Sequence, residues 1–256
     1  MTENLPVLVS IPHGGLQIPK ELKDRICLNE INIFDDSDPF TQEIYNLGDR
    51  ASFVIISYIA RAFVDLNRST DDLPPKNPDG VIKSHTCNRQ IIYKKGLEPD
   101  ILLIKKLLEK YYEPYHRKIR EVLAENNHNI ELALDCHSMA AYGPEISPDP
   151  GKRRPIICLG NQNNKTSSRK MINKLTDCFR QAFDLDAGEV TENKPFTGGY
   201  ITQMYGGNPI PWIQVEMNRD LYLKSAYFDR NTLKVHGDRL QELNLRFKKT
   251  LFLFCD

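Results

Sequence analysis

The sequence predicts an α/β fold: a single domain over residues 1–256, with a mixed, largely parallel central sheet flanked by helices. Three observations predict it. Short apolar runs rich in β-branched residues recur along the chain, amphipathic helical segments alternate with them, and a 40% hydrophobic content over 256 residues suffices for one sizeable core.

The expected strands, in order, are PVLVSIP (6–12), SFVIISY (52–58), RAFVDLN (61–67), IELALDC (130–136), PIICLG (155–160) and WIQVEMN (212–218). Each has the length of a central strand and is too short for a helical reading. Between them, DPFTQEIYNLGDR reads as a helix with Asp38 as N-cap and Pro39 at its first position, where a missing N–H costs nothing. Residues 99–126 carry apolar side chains at helical spacing, with Pro114 expected to kink or divide the segment. Two further amphipathic helices are expected at 167–185 and 232–254. The loop-rich stretches DDLPPKNPDG and YGPEISPDPGKRRP follow polar strand ends, where α/β proteins place ligands.

Lysine plus arginine equals aspartate plus glutamate at 34 each, so there is no global field to attract nucleic acid or an anionic membrane. A small-molecule partner is therefore expected, and the oligomeric state is left open. No apolar stretch approaches the ~20 residues of a membrane span, and the N-terminus has no basic leader. The six cysteines are scattered without a CxxC pair and read as reduced thiols of a cytoplasmic protein.

Four of the expected strands end in residues that bind metal, grip anions or move protons: His13 in IPHGG, Arg61, Asp65, Asn67 and Arg68 in RAFVDLNR, Asp135 and His137 in ALDCHS, and Glu216 in QVEMNR. If the strands are parallel, these side chains converge on one crevice at the sheet edge. His13 and His137 with a carboxylate suit zinc, which in hydrolytic sites takes three N or O ligands and leaves a position for water. The third ligand could be Asp35, Asp36 or Asp38 of FDDSD, or Glu216; Glu216, alone among apolar neighbours, better suits the base that takes a proton from water. Arg68 beside Asn67 can grip a carboxylate in a forked geometry, and Arg61 can stabilise a developing oxyanion. In FTGGYITQMYGG, Gly198 and Gly199 permit close backbone approach to a ligand or a tight entry into a short helix. That helix start would offer N–H groups to an anion. His85 and His116 lie in loop or helical contexts, and a histidine such as His116 more often packs and hydrogen-bonds than ligates.

With these residues in view, the chain resembles the N-formylglutamate amidohydrolase family. SIPHGG, the D-x-D of DSDPFTQEIY, RAFVDLNR, PYH at His116, DCHSM, FTGGYIT and the Q-x-E of IQVEMN carry the likeness in that order. The resemblance implies a phosphorylase/hydrolase-like fold related to zinc carboxypeptidases and to the succinylglutamate desuccinylase and aspartoacylase group. It also implies one zinc ion and hydrolysis of N-formyl-L-glutamate to formate and L-glutamate in histidine degradation. It assigns His13 and His137 to metal, Glu216 to general base catalysis, Asn67 and Arg68 to a substrate carboxylate, and Arg61 to the scissile carbonyl. The peptidase relatives use H-x-x-E, where this chain has Leu16, so the acidic ligand is sought in the D-x-D segment: Asp38 preferred, Asp36 the alternative. Gly198, Gly199 and Tyr200 are expected to line the substrate pocket, reaching the side-chain carboxylate. A zinc carboxypeptidase or other N-acyl amino acid acylase, and a non-catalytic binder of amino-acid derivatives, are the competing readings.

Overall fold

A computed structural model describes residues 4–145 and 147–256; residues 1–3 and Ile146, the latter inside the second expected loop, lie outside the described residues. Six strands form the main sheet: β1 (Leu5–Ile11), β2 (Ala51–Ile56), β3 (Leu132–Met139), β4 (Ile157–Gly160), β5 (Val190–Glu192) and β6 (Trp212–Asn218). Their spatial order is β2-β1-β3-β6-β4-β5. The β2, β1, β3 and β6 strands are mutually parallel, and β4 runs antiparallel to β6. The sheet is thus mixed and largely parallel, as expected.

Helices cover both faces. On one side lie α2 (Thr41–Tyr45), α5 (Arg169–Phe183) and α8 (Arg239–Cys255), over a core that includes Val7, Val9, Leu134, Ile213 and Val215. On the other lie α3 (Ile101–Leu107) and α4 (Glu113–Asn126), over Leu8, Ala133 and Trp212. Strand period explains the partition, because successive side chains face opposite ways. On the α3/α4 face the rows change character along the strands. Leu8, Ala133 and Trp212 are apolar, whereas Ser10, Asp135 and Gln214, two residues further on, are buried and polar, and His137 and Glu216 follow. One face therefore serves as core in its lower half and as a polar site at its C-terminal edge.

Several expected elements take a different form. Residues 61–67 are not a strand but a buried turn, closed by Phe63 N–H and Val64 N–H to the Ala60 carbonyl and by Arg61 Nη2 to Asp65 Oδ2 at 3.0 Å. In a strand, residues four apart are separated by about 13 Å, so the Arg61–Asp65 pair favours the turn, and its apolar residues are buried because the turn caps the sheet. The sixth strand is instead the short β5. Asp38 does not cap the helix that follows: α2 begins at Thr41 after Phe40 in the left-handed region (φ 64°), and the Asp38 side chain turns to the histidines. A preceding helix, α1 (Glu30–Asp36), begins on an Asn29/Asn32 capping box that the pattern did not reveal. Pro114 sits in the first turn of α4 after a π-helical turn at Leu108–Tyr112, which absorbs the interruption without breaking the rod. The last helix starts at Arg239, and the segment before it holds the single-turn helix α7 (Asp220–Leu223) and a small hairpin, Phe228–Asp229 with Lys234–Val235. The remaining amphipathic helix is where the periodicity put it, with Ser168 capping α5. All six cysteines are free, and no helix among the described residues is long and apolar enough to cross a membrane.

Gly15 is set by packing. A Cβ there would lie 2.1 Å from the backbone carbonyl carbon of Tyr58, where Gln17 N–H bonds Tyr58 O at 2.9 Å. Gly14 would instead meet the side chains of Gln42 and Thr41. Gly15→Ala is expected to cost about 1–3 kcal/mol or more, the range for overpacking, and to lower Tm by roughly 3–10 °C. Gly14→Ala should cost less, because side chains yield more readily than backbone. Thermal melts followed by circular dichroism compare the two; an unchanged Tm for Gly15→Ala would refute the crowding.

Candidate metal centre and active site

His13 follows β1, and its carbonyl accepts the Asp38 N–H at 3.0 Å, which brings the Asp38 loop to the end of the strand. His137 lies within β3 in direct register with Glu216 on β6. The ligand-capable atoms of His13, Asp38 and His137 all lie within 4.8 Å of one another, and all three residues are buried.

Each histidine is held from behind by a carboxylate. His13 Nε2 donates to Asp65 Oδ1 at 2.7 Å, and His137 Nε2 lies 3.1 Å from Asp135 Oδ1. This leaves both Nδ1 atoms facing Asp38 Oδ2, at 3.4 Å from His13 and 3.0 Å from His137. His13 Nδ1 is buried and has no hydrogen-bond partner among the described residues. Two buried imidazole nitrogens and a carboxylate oxygen thus converge on one place, a donor set that a cation would complete, and Asp–His pairs are the usual outer support of metal-bound imidazoles. The residues present therefore fit a divalent ion. Burial alone would raise the Asp38 pKa, but the two imidazoles and Arg219 hold its carboxyl well below the usual range. Burial likewise opposes a charged His137, yet Asp135 and Asp38 raise its pKa well above the ordinary value.

Asp36, the alternative acidic ligand, points elsewhere. One oxygen accepts the Cys87 N–H at 2.6 Å and the other faces the buried Lys83 ammonium at 3.4 Å. Leu16, at the position of the peptidase glutamate, is exposed.

Glu216 accepts from Gln214 Nε2 at 2.8 Å, and burial, opposed by His137 and Arg219, pushes its pKa up to about 7. It lines one cavity of about 450 Å³ together with His13, Asp38, His137, Arg61, Asn67, Arg68, Gly198 and Gly199. Arg61 is turned toward Asp65, and Arg68 donates to Asp79 Oδ2 at 2.9 Å. Asn67 is largely committed: its Oδ1 accepts the Ile201 N–H at 2.7 Å, and its Nδ2 lies 3.1 Å from His137 Nε2. Gly199 precedes the six-residue helix α6 (Tyr200–Tyr205), and a Cβ on it would sit 2.3 Å from the Asn67 amide. The Tyr200 ring packs edge-on against His116, with centroids 6.0 Å apart, and is absent from the cavity lining.

His116 is a packing histidine, in keeping with its helical context. Its Nε2–H donates to the Leu66 carbonyl and its Nδ1 accepts from Tyr205, both at 2.9 Å, and burial lowers its pKa to about 4. His85 hydrogen-bonds Ser84 and lies outside the cavity lining.

Two residues escaped the sequence reading. Arg219 donates to Asp38 Oδ1 at 2.8 Å and to Ser138 Oγ at 3.0 Å, so it turns the other carboxylate oxygen toward the histidines. It stands three residues after Glu216, and the basic residue closing QVEMNR was the available signal. Lys83, 2.5 Å from Asp79 and 3.6 Å from Asp65, has no pattern signal, because a lysine in a loop reads as solvated.

The chain is 26% identical over 229 residues to N-formylglutamate deformylase of Pseudomonas putida, covering 87% of this chain and 83% of that protein. It is 25% identical over 226 residues to the deformylase of Pseudomonas aeruginosa, covering 86% and 82%. The crystal structure of N-formylglutamate amidohydrolase from Ralstonia eutropha JMP134 superposes with a TM-score of 0.79 at 19% identity, over 98% of this chain and 93% of that one, which establishes the shared fold. The N-formylglutamate amidohydrolase family model matches residues 5–223, a span holding every residue of the buried His–Asp–His cluster and its neighbouring glutamate, and the chain belongs to that family.

Proposed function

We propose that this protein is a zinc-dependent amidohydrolase that cleaves N-formyl-L-glutamate to formate and L-glutamate. The observation that carries the reading is the pairing of the His13–Asp38–His137 cluster with Glu216 on the adjacent strand, in a cavity that also holds two arginines from the RAFVDLNR turn. The names of the Pseudomonas relatives support the choice of substrate.

A divalent ion held by His13, Asp38 and His137 would polarise the amide carbonyl and lower the pKa of water from about 15.7 toward about 7. Glu216 takes the proton of the attacking water and returns it to the departing amine, a double task suited to a buried carboxyl whose pKa burial raises above the ordinary value. Arg61 offsets the charge that develops on the carbonyl oxygen. Arg68 holds the α-carboxylate, with Asn67 bracing the segment that carries it.

The test is formate release from N-formyl-L-glutamate by purified protein, before and after chelation, alongside metal analysis. Activity that chelation removes and zinc restores is expected. Metal-free protein at full activity would sink the zinc assignment, and release of amino acids from C-terminal peptides in place of formate would transfer the protein to the carboxypeptidase reading.

A further inference from the structure

The proposed substrate is a dianion, and Arg68 accounts for one carboxylate. Two of the N–H groups that FTGGYIT would offer the second are already used: Gly199 N–H donates to Gln214 Oε1 at 2.5 Å and Ile201 N–H to Asn67 Oδ1. Another donor lines the same cavity. Arg154 stands three residues before β4, and because β4 runs antiparallel to β6, that strand begins at the edge where β1, β3 and β6 end. Arg154 thus enters from the β4 flank, whereas Arg68 enters on the turn that follows β2.

Arg154 is 7% exposed and rigidly placed. Its Nε and Nη2 donate to the two oxygens of Asp149, each at 2.8 Å, and its guanidinium lies 4.8 Å from the centre of the Phe196 ring, which also lines the cavity. Its backbone carbonyl accepts from Asn218 Nδ2 at 3.3 Å, two residues beyond Glu216 on β6. Nη1 has no partner among the described residues and is not sealed from solvent. A guanidinium oriented by a carboxylate on one edge and an aromatic face beneath it is pre-organised to take an anion on its remaining edge.

We infer that Arg154 reads the side-chain carboxylate of the substrate and makes the site selective for N-acyl derivatives of dicarboxylic amino acids. The inference rests on the amidohydrolase reading for the chemistry and on Arg154 alone for the selectivity. N-formyl-L-glutamine has the shape of N-formyl-L-glutamate but no side-chain charge. Zinc-supplied wild type is expected to prefer the glutamate compound in kcat/KM by on the order of 10–100-fold, the scale of a charge-assisted hydrogen bond. Arg154→Met should bring that ratio close to one by lowering activity on N-formyl-L-glutamate far more than on N-formyl-L-glutamine. Arg154→Lys, which keeps the charge and loses the fork, should fall between them and serves if the methionine variant does not fold. Equal loss on both substrates in a folded variant, or a wild type without preference, overturns the inference. If wild type hydrolyses neither compound, calorimetric binding of glutarate against glutaramate decides the point separately. A dianion preference weakened in Arg154→Lys supports the site although the amidohydrolase reading has failed, and equal or absent binding overturns it.

Discussion

Glu216→Gln is expected to turn over N-formyl-L-glutamate about 10²–10⁴-fold more slowly than wild type, the usual contribution of a positioned acid–base group, with metal content and KM unchanged. Glutamine matches glutamate in shape and can keep the contact with Gln214, so the fold and the cavity are preserved. What it cannot do is accept a proton. The pH profile carries the same information. Burial, together with the charges of Asp38 and Asp135, raises the Glu216 pKa to about 7 in the metal-free protein, while His137 and Arg219 pull against it. The active form is the carboxylate, so kcat/KM should rise with pH through this titration. A bound dication favours the carboxylate and moves the acid limb below about 7. The residual rate of Glu216→Gln should lack that limb. A variant that keeps wild-type kcat, or loses rate only by losing metal, would remove Glu216 from the role of base.

If zinc sits as proposed, His137→Ala should weaken its binding by roughly 10²-fold or more, since it would remove one of three protein ligands from an interaction typically worth about 10–16 kcal/mol. The protons predict how binding responds to pH. In the metal-free protein burial disfavours the imidazolium, but Asp135 and Asp38 outweigh it and keep His137 protonated well above its ordinary pKa. On the proposed assignment, a metal ion held by Nδ1 would have to displace its proton. Affinity is expected to fall as pH drops and to rise until His137 is deprotonated without metal. Calorimetry in buffers of different ionisation enthalpy should show about one proton released per zinc in wild type, and less in His137→Ala. Stoichiometric, pH-independent zinc uptake by the alanine variant would place the metal elsewhere.

The strand-borne part of the site was legible because apolar runs with a polar residue at one end identify both a strand and its exit. His13, His137 and Glu216 all stand in that relation to β1, β3 and β6. RAFVDLNR misled for the same reason: Ala62, Phe63, Val64 and Leu66 are buried like strand residues, but in a turn that covers the sheet edge. Local pattern reports burial, and burial alone does not distinguish a strand from a turn packed on a core. Asp38 has the pattern of a helix cap, the commonest fate of an aspartate before a proline, and only the family resemblance prefers it as the acidic ligand, because its contact with His137 spans 99 positions of chain.

By itself, then, the sequence determined the fold class, the strands that would carry chemistry, and the family to which the chain belongs. It did so because hydrophobic period and motif order are properties of neighbours along the chain. Only the tertiary structure decided which aspartate faces the histidines, that Asp65 and Asp135 stand behind them, that Arg219 turns Asp38, and that Arg154 rather than Tyr200 reaches the cavity. Those choices depend on which distant segments the parallel sheet brings to one edge, and on buried charges finding partners across it, which no local window of residues contains.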